Sequence, residues 1–478
     1  MSYSIAFPED INKLAINHLL RNDAQEDLCF ALWKPSSGSS RKTALIHELI
    51  LPRENERLIH GNASFLPQYI ERVIGKALET NSGIAFMHSH LGPGWQDMSY
   101  DDYRAEYSNA PAVFAATGLP FVGLTLGTDG AWSGRFWNKN HRGLFQRNWC
   151  QSVRVVGTSF SVTFMDKLLP IPKFKSHLKE TVSPWKPEQQ AKLSRLRVGI
   201  IGTGSVGSIV GEAVSRIGVK HIKLIDFDTV ELRNLGRLLH ATLRDVKNRT
   251  SKVSMLAKAY KKIATAEDFQ VSEKEWSIVE VEGFQEALDC DVLLACVDRP
   301  WPRQVLNFIA YAHLIPVIDV GIAVNVNPED RNLLGADWKA QIIGPGRQCL
   351  ECSGQYNAGF VSTEREGHLE DPRYIQSLPK NHTLRQNENV FAFSLAAASL
   401  QVLQFLSLVI SPLGISDIGQ QNYHFVTGRM DILEDQHCKH NCLYPSVIAL
   451  GDFAGFTVTG KHNKAELARK QRKISGFP

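Results

Sequence analysis

Hydrophobic and polar positions along the chain follow two regimes that meet at a polar stretch. In residues 1–165, short β-rich runs alternate with helical spacing. CFALW (29–33) and TALIHELIL (43–51) predict strands, and LPQYIERVIGKALE (66–79), apolar along one helical face, predicts an amphipathic helix. GIAFMHSH (83–90) predicts a strand running out into polar residues. FVGLTLG (121–127) and AWSGRFW (131–137) flank Thr-Asp-Gly and predict a hairpin. From Arg197 the pattern becomes buried strand, helix, buried strand. RVGIIG, a helix to Arg216, HIKLIDFD, a helix after Thr250, DVLLACVD, a helix to His313 and IPVIDVGI follow one another. That alternation predicts a doubly wound parallel sheet, so the fold class is α/β throughout. The expected division is a first domain over 1–165, a Pro- and Lys-rich linker over 166–193 that ends in a short helix, a second domain over 194–450 and a basic tail over 451–478. No internal repeat is evident.

Bulk properties narrow this picture without naming a chemistry. A chain of 478 residues is too long for one core and predicts two to three domains. A net charge of +4 is too small to argue for nucleic acid. The opening MSYSIAFPEDINKL lacks a charged-then-apolar layout, which points to a cytoplasmic protein. Four of the eight cysteines pair at metal-ligand spacing, which suits a reducing compartment. The run FAFSLAAASLQVLQFLSLVI (391–410) is uncharged and long enough to span a bilayer. Ser394, Ser399, Gln401, Gln404 and Ser407 interrupt it and no cationic or aromatic belt flanks it, so a buried helix is expected and no membrane. The tail KHNKAELARKQRKISGFP reads as solvated or as a docking arm, and it does not end in Gly-Gly.

Gly202, Gly204 and Gly207 follow a strand and open a helix, a setting in which backbone N–H groups can approach a phosphate. Asp226 ends the next strand, where a carboxylate can take ribose hydroxyls. To this point an NAD-dependent dehydrogenase fits equally well. The string continues as Asp226, Asp228, Val230, Asn234, Leu235 and Arg237, with Lys252 opening the next helix and Asp298 closing DVLLACVD. Over residues 194–450 this resembles the ThiF/MoeB and ubiquitin-activating-enzyme family. The resemblance implies a Rossmann-like domain that adenylates the C-terminal glycine of a ubiquitin-like protein with Mg-ATP. It implies that Asp226 holds the ribose, that Asn234, Arg237 and Lys252 hold the phosphates, and that Asp298 binds Mg2+. It also implies a structural Zn2+ on two cysteine pairs, here Cys349 with Cys352 and Cys438 with Cys442, with His437 and His440 near enough to replace one ligand. Members are usually homodimers, and the run 391–410 could serve such an interface.

Two departures change what the resemblance implies. Conjugating members pass the adenylate to a cysteine in the segment after the first zinc pair, yet residues 353–437 hold no cysteine. Cys29, Cys150, Cys290 and Cys296 lie in strands or strand ends and read as structural. The expected product is therefore an acyl-adenylate, handed to a partner's sulfur or another nucleophile. The family's upstream arginine has no counterpart in 184–193, where only Lys186 and Lys192 are basic.

His88 and His90 alternate by two at a strand end, so both imidazoles can face one cation; Ser99 and Asp102 follow. Over residues 1–165 this resembles the JAB/MPN metalloprotease family and its JAMM motif. The resemblance implies a catalytic Zn2+ on His88, His90 and Asp102, a glutamate base, and Ser99 at the oxyanion. The commonest spacing would instead place Met98 at the serine and make Asp101 the ligand. Glu26, ahead of CFALW, and Glu48, inside the next strand, are the candidate bases.

Together the resemblances imply a bifunctional enzyme of a prokaryotic ubiquitin-like system. One half activates the modifier's carboxylate and the other trims its C-terminal extension or releases it from targets, in protein conjugation such as phage defence or in sulfur transfer. Its partners are a ubiquitin-like or sulfur-carrier protein and a conjugating or sulfur-donor protein. The alternative keeps the adenylating half for a sulfur carrier and makes the JAB domain a docking module.

Overall fold

Strands that are apolar on both faces define the centre of each of two sheets, and partly polar strands define the edges. A computed structural model describes residues 1–478 except 61, 174–183, 328, 331, 379–388, 456–459 and 475–478. It divides into a unit of Met1–Pro170, Tyr311–Leu314 and Pro445–Phe456 and a unit of Ile171–Ala310, Ile315–Tyr444 and Thr457–Pro478.

The strands of the first unit are β1 (Ser2–Pro8), β2 (Leu28–Ser37), β3 (Arg41–Ile50), β4 (Arg57–His60), β5 (Asn62–Phe65), β6 (Gly83–Ser89), β7 (Phe121–Leu126), β8 (Trp132–Lys139), β9 (Phe145–Trp149), β10 (Ser152–Val156) and β11 (Phe160–Phe164). Among the described residues nine of them form one mixed sheet, β11-β10-β1-β3-β2-β6-β7-β8-β9, and β4 and β5 form a separate hairpin. Alternate side chains of β2 feed two cores. Cys29, Ala31 and Trp33 join Phe7, Ala15 and Leu19 on one face, with the helix Glu9–Leu19. Leu28, Phe30 and Leu32 join Tyr69, Val73 and Val113 on the other, with the helices Pro67–Glu79 and Tyr100–Thr117. Burial on both faces explains the near-continuous apolar run in CFALW. Gly83 opens β6 because a Cβ there would lie 2.2 Å from the Trp33 indole. The hairpin expected around Thr-Asp-Gly forms as β7 paired antiparallel with β8.

The second unit holds β12 (Arg197–Ile201), β13 (His221–Ile225), β14 (Gln270–Lys274), β15 (Val292–Ala295), β16 (Val317–Val326), β17 (Leu333–Ile343), β18 (Gln420–His424) and β19 (Arg429–Leu433). Their order is β14-β13-β12-β15-β16-β17-β18-β19; β14 to β16 run parallel and the remainder antiparallel. Strand order reverses between β12 and β15, and in such sheets a crevice opens at the carboxyl ends beside that point. The antiparallel edge escapes a reading based on strand–helix alternation, because no helix separates β16 from β17 or β18 from β19.

The helix Phe391–Ile410 coincides with the uncharged run, and 61% of its most apolar window is buried inside the fold. The Gln401 amide donates to the carbonyls of Ala295 (3.0 Å) and Ile318 (2.7 Å), and that of Gln404 to the Gly419 carbonyl (2.8 Å). Such polar groups find protein partners rather than lipid, so the helix is core to this unit.

The linker ends in a helix, Pro187–Arg195, as its sequence predicts, and residues 174–183 lie outside the described residues. The tail is not uniformly solvated. Pro445–Phe456 groups with the first unit, and the helix Asn463–Ile474 packs on the second through Arg469–Glu280 and Arg472–Glu275 ion pairs. Of the two readings the basic run allowed, solvated or docking arm, these ion pairs favour the arm, and the carboxylates it meets lie nearly two hundred residues away in sequence.

Candidate functional site

In the first unit, β6 delivers His88 from its buried end, and His90 follows with its N–H on the Leu126 carbonyl (2.9 Å). The helix Tyr100–Thr117 then starts with a reciprocal cap. Asp102 N–H donates to Ser99 Oγ (3.1 Å), and Ser99 N–H donates to Asp102 Oδ2 (2.8 Å). The cap turns the Asp102 carboxylate onto both histidines, Oδ1 at 3.4 Å from His88 Nε2 and Oδ2 at 3.1 Å from His90 Nε2. The two Nε2 atoms are 3.2 Å apart. Burial acts to raise the Asp102 carboxyl, but hydrogen bonds from His88 and His90 hold it well below the usual carboxylate range. Asp101 is exposed, and Met98 is partly buried against the second core cluster.

These donors suit a divalent cation. Two imidazole nitrogens 3.2 Å apart cannot both point a proton at each other, and a carboxylate beside them needs positive charge. One shared cation satisfies all three, whose donor atoms lie within 4.8 Å of one another. Glu26 lies ahead of β2, which pairs with β6 in the register Leu28↔His88; two residues further on, Glu26 falls opposite His90. Burial raises the Glu26 carboxyl, while His90 and His88 draw it down. Glu48 instead sits opposite Leu32, four residues up β2 from Leu28 or about 13 Å along the strand.

Behind the histidines stands a buried polar chain that sequence reasoning missed. Thr125 Oγ1 lies 3.3 Å from His88 Nε2 and accepts from Arg135 Nη1 (2.6 Å). Arg135 Nε and Trp137 Nε1 in turn donate to the Glu106 carboxylate (3.0 and 2.6 Å). Gly123 leaves room for this ion pair, since a Cβ there would lie 2.4 Å from Glu106 and 2.6 Å from Arg135. The available signal was a lone arginine inside the apolar run AWSGRFW: a charge on a doubly covered strand needs a buried partner.

In the second unit, Gly202 has φ +86°, and a Cβ on it would lie 2.6 Å from the Cys296 carbonyl oxygen. A Cβ on Gly207 would lie 2.0 Å from the Gly202 oxygen, so the helix Ser205–Arg216 packs tightly on the turn. Gly204 faces open space and that helix has no side-chain cap, leaving its first N–H groups for an anion. Asp226 ties the turn together. Its Oδ2 accepts from Thr203 N (2.7 Å) and Oγ1 (3.0 Å), and its Oδ1 from Asp228 N (2.8 Å). Burial raises its carboxyl, with Lys252 opposing. Lys252 Nζ is buried 2.7 Å from Asp228 Oδ2, and Asp298, exposed beyond β15, adds to the field that keeps it charged. Arg237 donates nothing from its guanidinium to any described residue, while its carbonyl accepts from Ser205 Oγ (2.8 Å). Asn234 Oδ1 caps its own short turn, accepting from Glu231 N (2.9 Å). Asp226, Lys252 and Asp298 are thus gathered around the ends of β12, β13 and β15; Arg237 is tied to the start of the glycine-turn helix.

The four cysteines of the same unit come together. Cys349 Sγ is 3.6 Å from Cys442 Sγ, and all four sulfurs lie within 4.8 Å of one another. Backbone N–H groups of Cys349, Cys352 and Lys439 point at Cys438, Cys349 and Cys352 sulfurs (3.3, 3.3 and 3.4 Å). The Cys442 thiol is pushed up to about 12 by burial and by the neighbouring sulfurs, so these thiols ionise together only with a cation among them. That is the donor set of a closed structural zinc site. His437 and His440 are exposed. Cys29, Cys150 and Cys290 are buried; Cys296 Sγ donates to Gln401 Oε1 (3.3 Å).

The sequence profile of the ThiF family matches residues 176–443. Ubiquitin-like modifier-activating enzyme 5 of Aedes aegypti is 28% identical over 174 residues, 34% of this chain and 41% of that protein. tRNA threonylcarbamoyladenosine dehydratase 2 of Saccharomyces cerevisiae is 28% identical over 223 residues, 46% of this chain and 48% of that protein. The chain thus spans less than half the length of these relatives. Among solved structures, Escherichia coli MccB with ATP aligns at 19% identity over 53% of this chain and 67% of that one, with a TM-score of 0.39.

Proposed function

Because the chain belongs to the ThiF family, we propose that its second unit adenylates the C-terminal carboxylate of a ubiquitin-like protein with Mg-ATP. The observation that carries this reading is the convergence of Asp226, Lys252 and Asp298 around an uncapped helix N-terminus, next to which the Arg237 guanidinium donates to no described residue. In the proposed reaction a carboxylate oxygen of the modifier attacks the α-phosphorus, and pyrophosphate departs. Asp226 takes the ribose, Asn234, Arg237 and Lys252 hold the phosphates, and Asp298 holds Mg2+. Fixed cations of this kind stabilise charge on the transferring group without reorganising. The absence of cysteine in 353–437 favours handing the acyl-adenylate to another protein's nucleophile.

The first unit is proposed to be a JAMM-type hydrolase of peptide or isopeptide bonds at the modifier's C-terminus. His88, His90 and Asp102 would hold a zinc ion that supplies Lewis acidity. Glu26, across the sheet from His90, would take the proton from the attacking water, and Ser99 would stand by the developing oxyanion. The competing reading makes this unit a docking module for a sulfur carrier, and metal content separates the two.

Asp298→Ala and Arg237→Ala are expected to lower modifier-stimulated ATP–pyrophosphate exchange by about a hundredfold or more. Exchange retained in both would remove the assignment. Glu26→Gln is expected to lower isopeptide cleavage by at least about a hundredfold with zinc content unchanged.

A further inference from the structure

We propose that the C-terminal arm His462–Arg472 forms a wall of the nucleotide crevice and that His462 and Lys464 are further ATP-positioning residues. The inference rests on the Mg-ATP reading of that crevice. Phe227 lies between Asp226 and Asp228 in the chain, and Trp301 three residues beyond Asp298, so both rings belong to segments that follow the strand ends of the site. The His462 imidazole stands edge-on to both, its centroid 4.8 Å from Phe227 and 6.2 Å from Trp301. Its Nδ1 is buried without a hydrogen-bond partner among the described residues, which leaves one polar atom for a ligand. Just before it, a Cβ on Gly460 would lie 2.5 Å from the Trp301 ring, so the arm crosses in close contact.

Specific ion pairs hold the arm in place. Arg469 meets the buried Glu280 carboxylate with both terminal nitrogens (2.9 and 2.6 Å) and lies 4.3 Å over the Trp276 ring. Arg472 donates to the Phe227 carbonyl (2.9 Å), the residue between the two aspartates, and pairs with Glu275 (2.8 Å). Bidentate guanidinium–carboxylate pairs fix orientation as well as position. Lys464 is exposed, and its charge acts on Asp228, which already pairs with Lys252. One lysine against two carboxylates leaves this corner acidic in the free protein, so a second cation there is useful when a triphosphate arrives.

The test measures Mg-ATP binding by calorimetry and ATP–pyrophosphate exchange on the full-length chain. The variants are His462→Ala, Lys464→Ala, Arg469→Glu and the reversed pair Arg469→Glu/Glu280→Arg. The two alanine variants are expected to raise KM and Kd for ATP about tenfold with kcat little changed, and the reversed pair to recover part of the Arg469→Glu loss. Unchanged ATP affinity in both alanine variants would overturn the inference, whatever Arg469→Glu does to folding. A wild-type protein that binds no ATP would instead remove the nucleotide reading, and this one with it.

Discussion

The two metal-type donor sets of this protein are assembled in opposite ways. His88, His90 and Asp102 come from one strand end and the first turn of the next helix, within fifteen residues. The cysteines come as two local pairs separated by almost ninety residues, and the sulfurs meet only because the intervening chain folds back. The first set is held by a cap and by a buried Thr125–Arg135–Glu106 chain made of protein contacts alone. The second set joins two distant segments that also meet through Gln348 on the His437 carbonyl (3.1 Å) and Tyr356 on Tyr444 (2.6 Å), so a cation on the four thiols would cross-link them. A three-donor set leaves a position open for chemistry; a four-thiol set leaves none.

This contrast predicts its largest effect at the cysteines. Cys349→Ser/Cys352→Ser should cost the second unit on the order of 10 kcal/mol of metal-linked folding energy, seen as loss of one zinc and collapse of its thermal transition. A variant with wild-type melting would break the comparison. His88→Ala/His90→Ala should also lose one zinc by elemental analysis, yet keep the melting profile and ATP–pyrophosphate exchange. If exchange falls in step with zinc, the sites are not independent.

Buried carboxyls sharpen the contrast further. Asp102 has two histidines beside it, whereas Glu364 is pushed up to about 7 by burial and, among the described residues, accepts a hydrogen bond from the Trp301 N–H (2.8 Å). Its folded-state pKa lies above the ordinary 4.5, so between those values the folded protein holds the extra proton and stability falls as pH rises. Glu364→Gln should flatten that slope, gaining on the order of 3 kcal/mol relative to wild type at pH 8 compared with pH 4, measured by denaturant unfolding. A parallel pair of curves would refute the buried, uncompensated carboxyl. The smallest effect is at Ser99. Ser99→Ala should lose about 1 kcal/mol of helix capping and weaken zinc retention roughly tenfold by freeing Asp102, without affecting the cysteine-bound zinc.

Much of this architecture was legible in the chain because its signals are local. Strand–helix alternation, the glycine turn ahead of a helix, the His-x-His at a strand end and the cysteine pairs all express backbone geometry over a few residues. The helix Phe391–Ile410 was legible from composition alone. What stayed hidden depends on partners distant in sequence: the antiparallel edge β17–β19, the Arg135–Glu106 pair, and the docking of Arg469 on Glu280.

By itself, then, the sequence determined the two α/β regimes, the glycine turn and the types of donor available. Tertiary structure decided which of those donors meet. Asp102 rather than Asp101 lies against the histidines because a cap on Ser99 sets the rotation of the first helical turn. Glu26 rather than Glu48 lies across from His90 because the β2–β6 register places it there. The C-terminal arm lies against the Phe227 carbonyl because carboxylates from the loop after β14 reach its arginines. Helical rotation, strand register and ion pairing between distant segments are set by packing, and a one-residue change in spacing is enough to turn any of them to the opposite face.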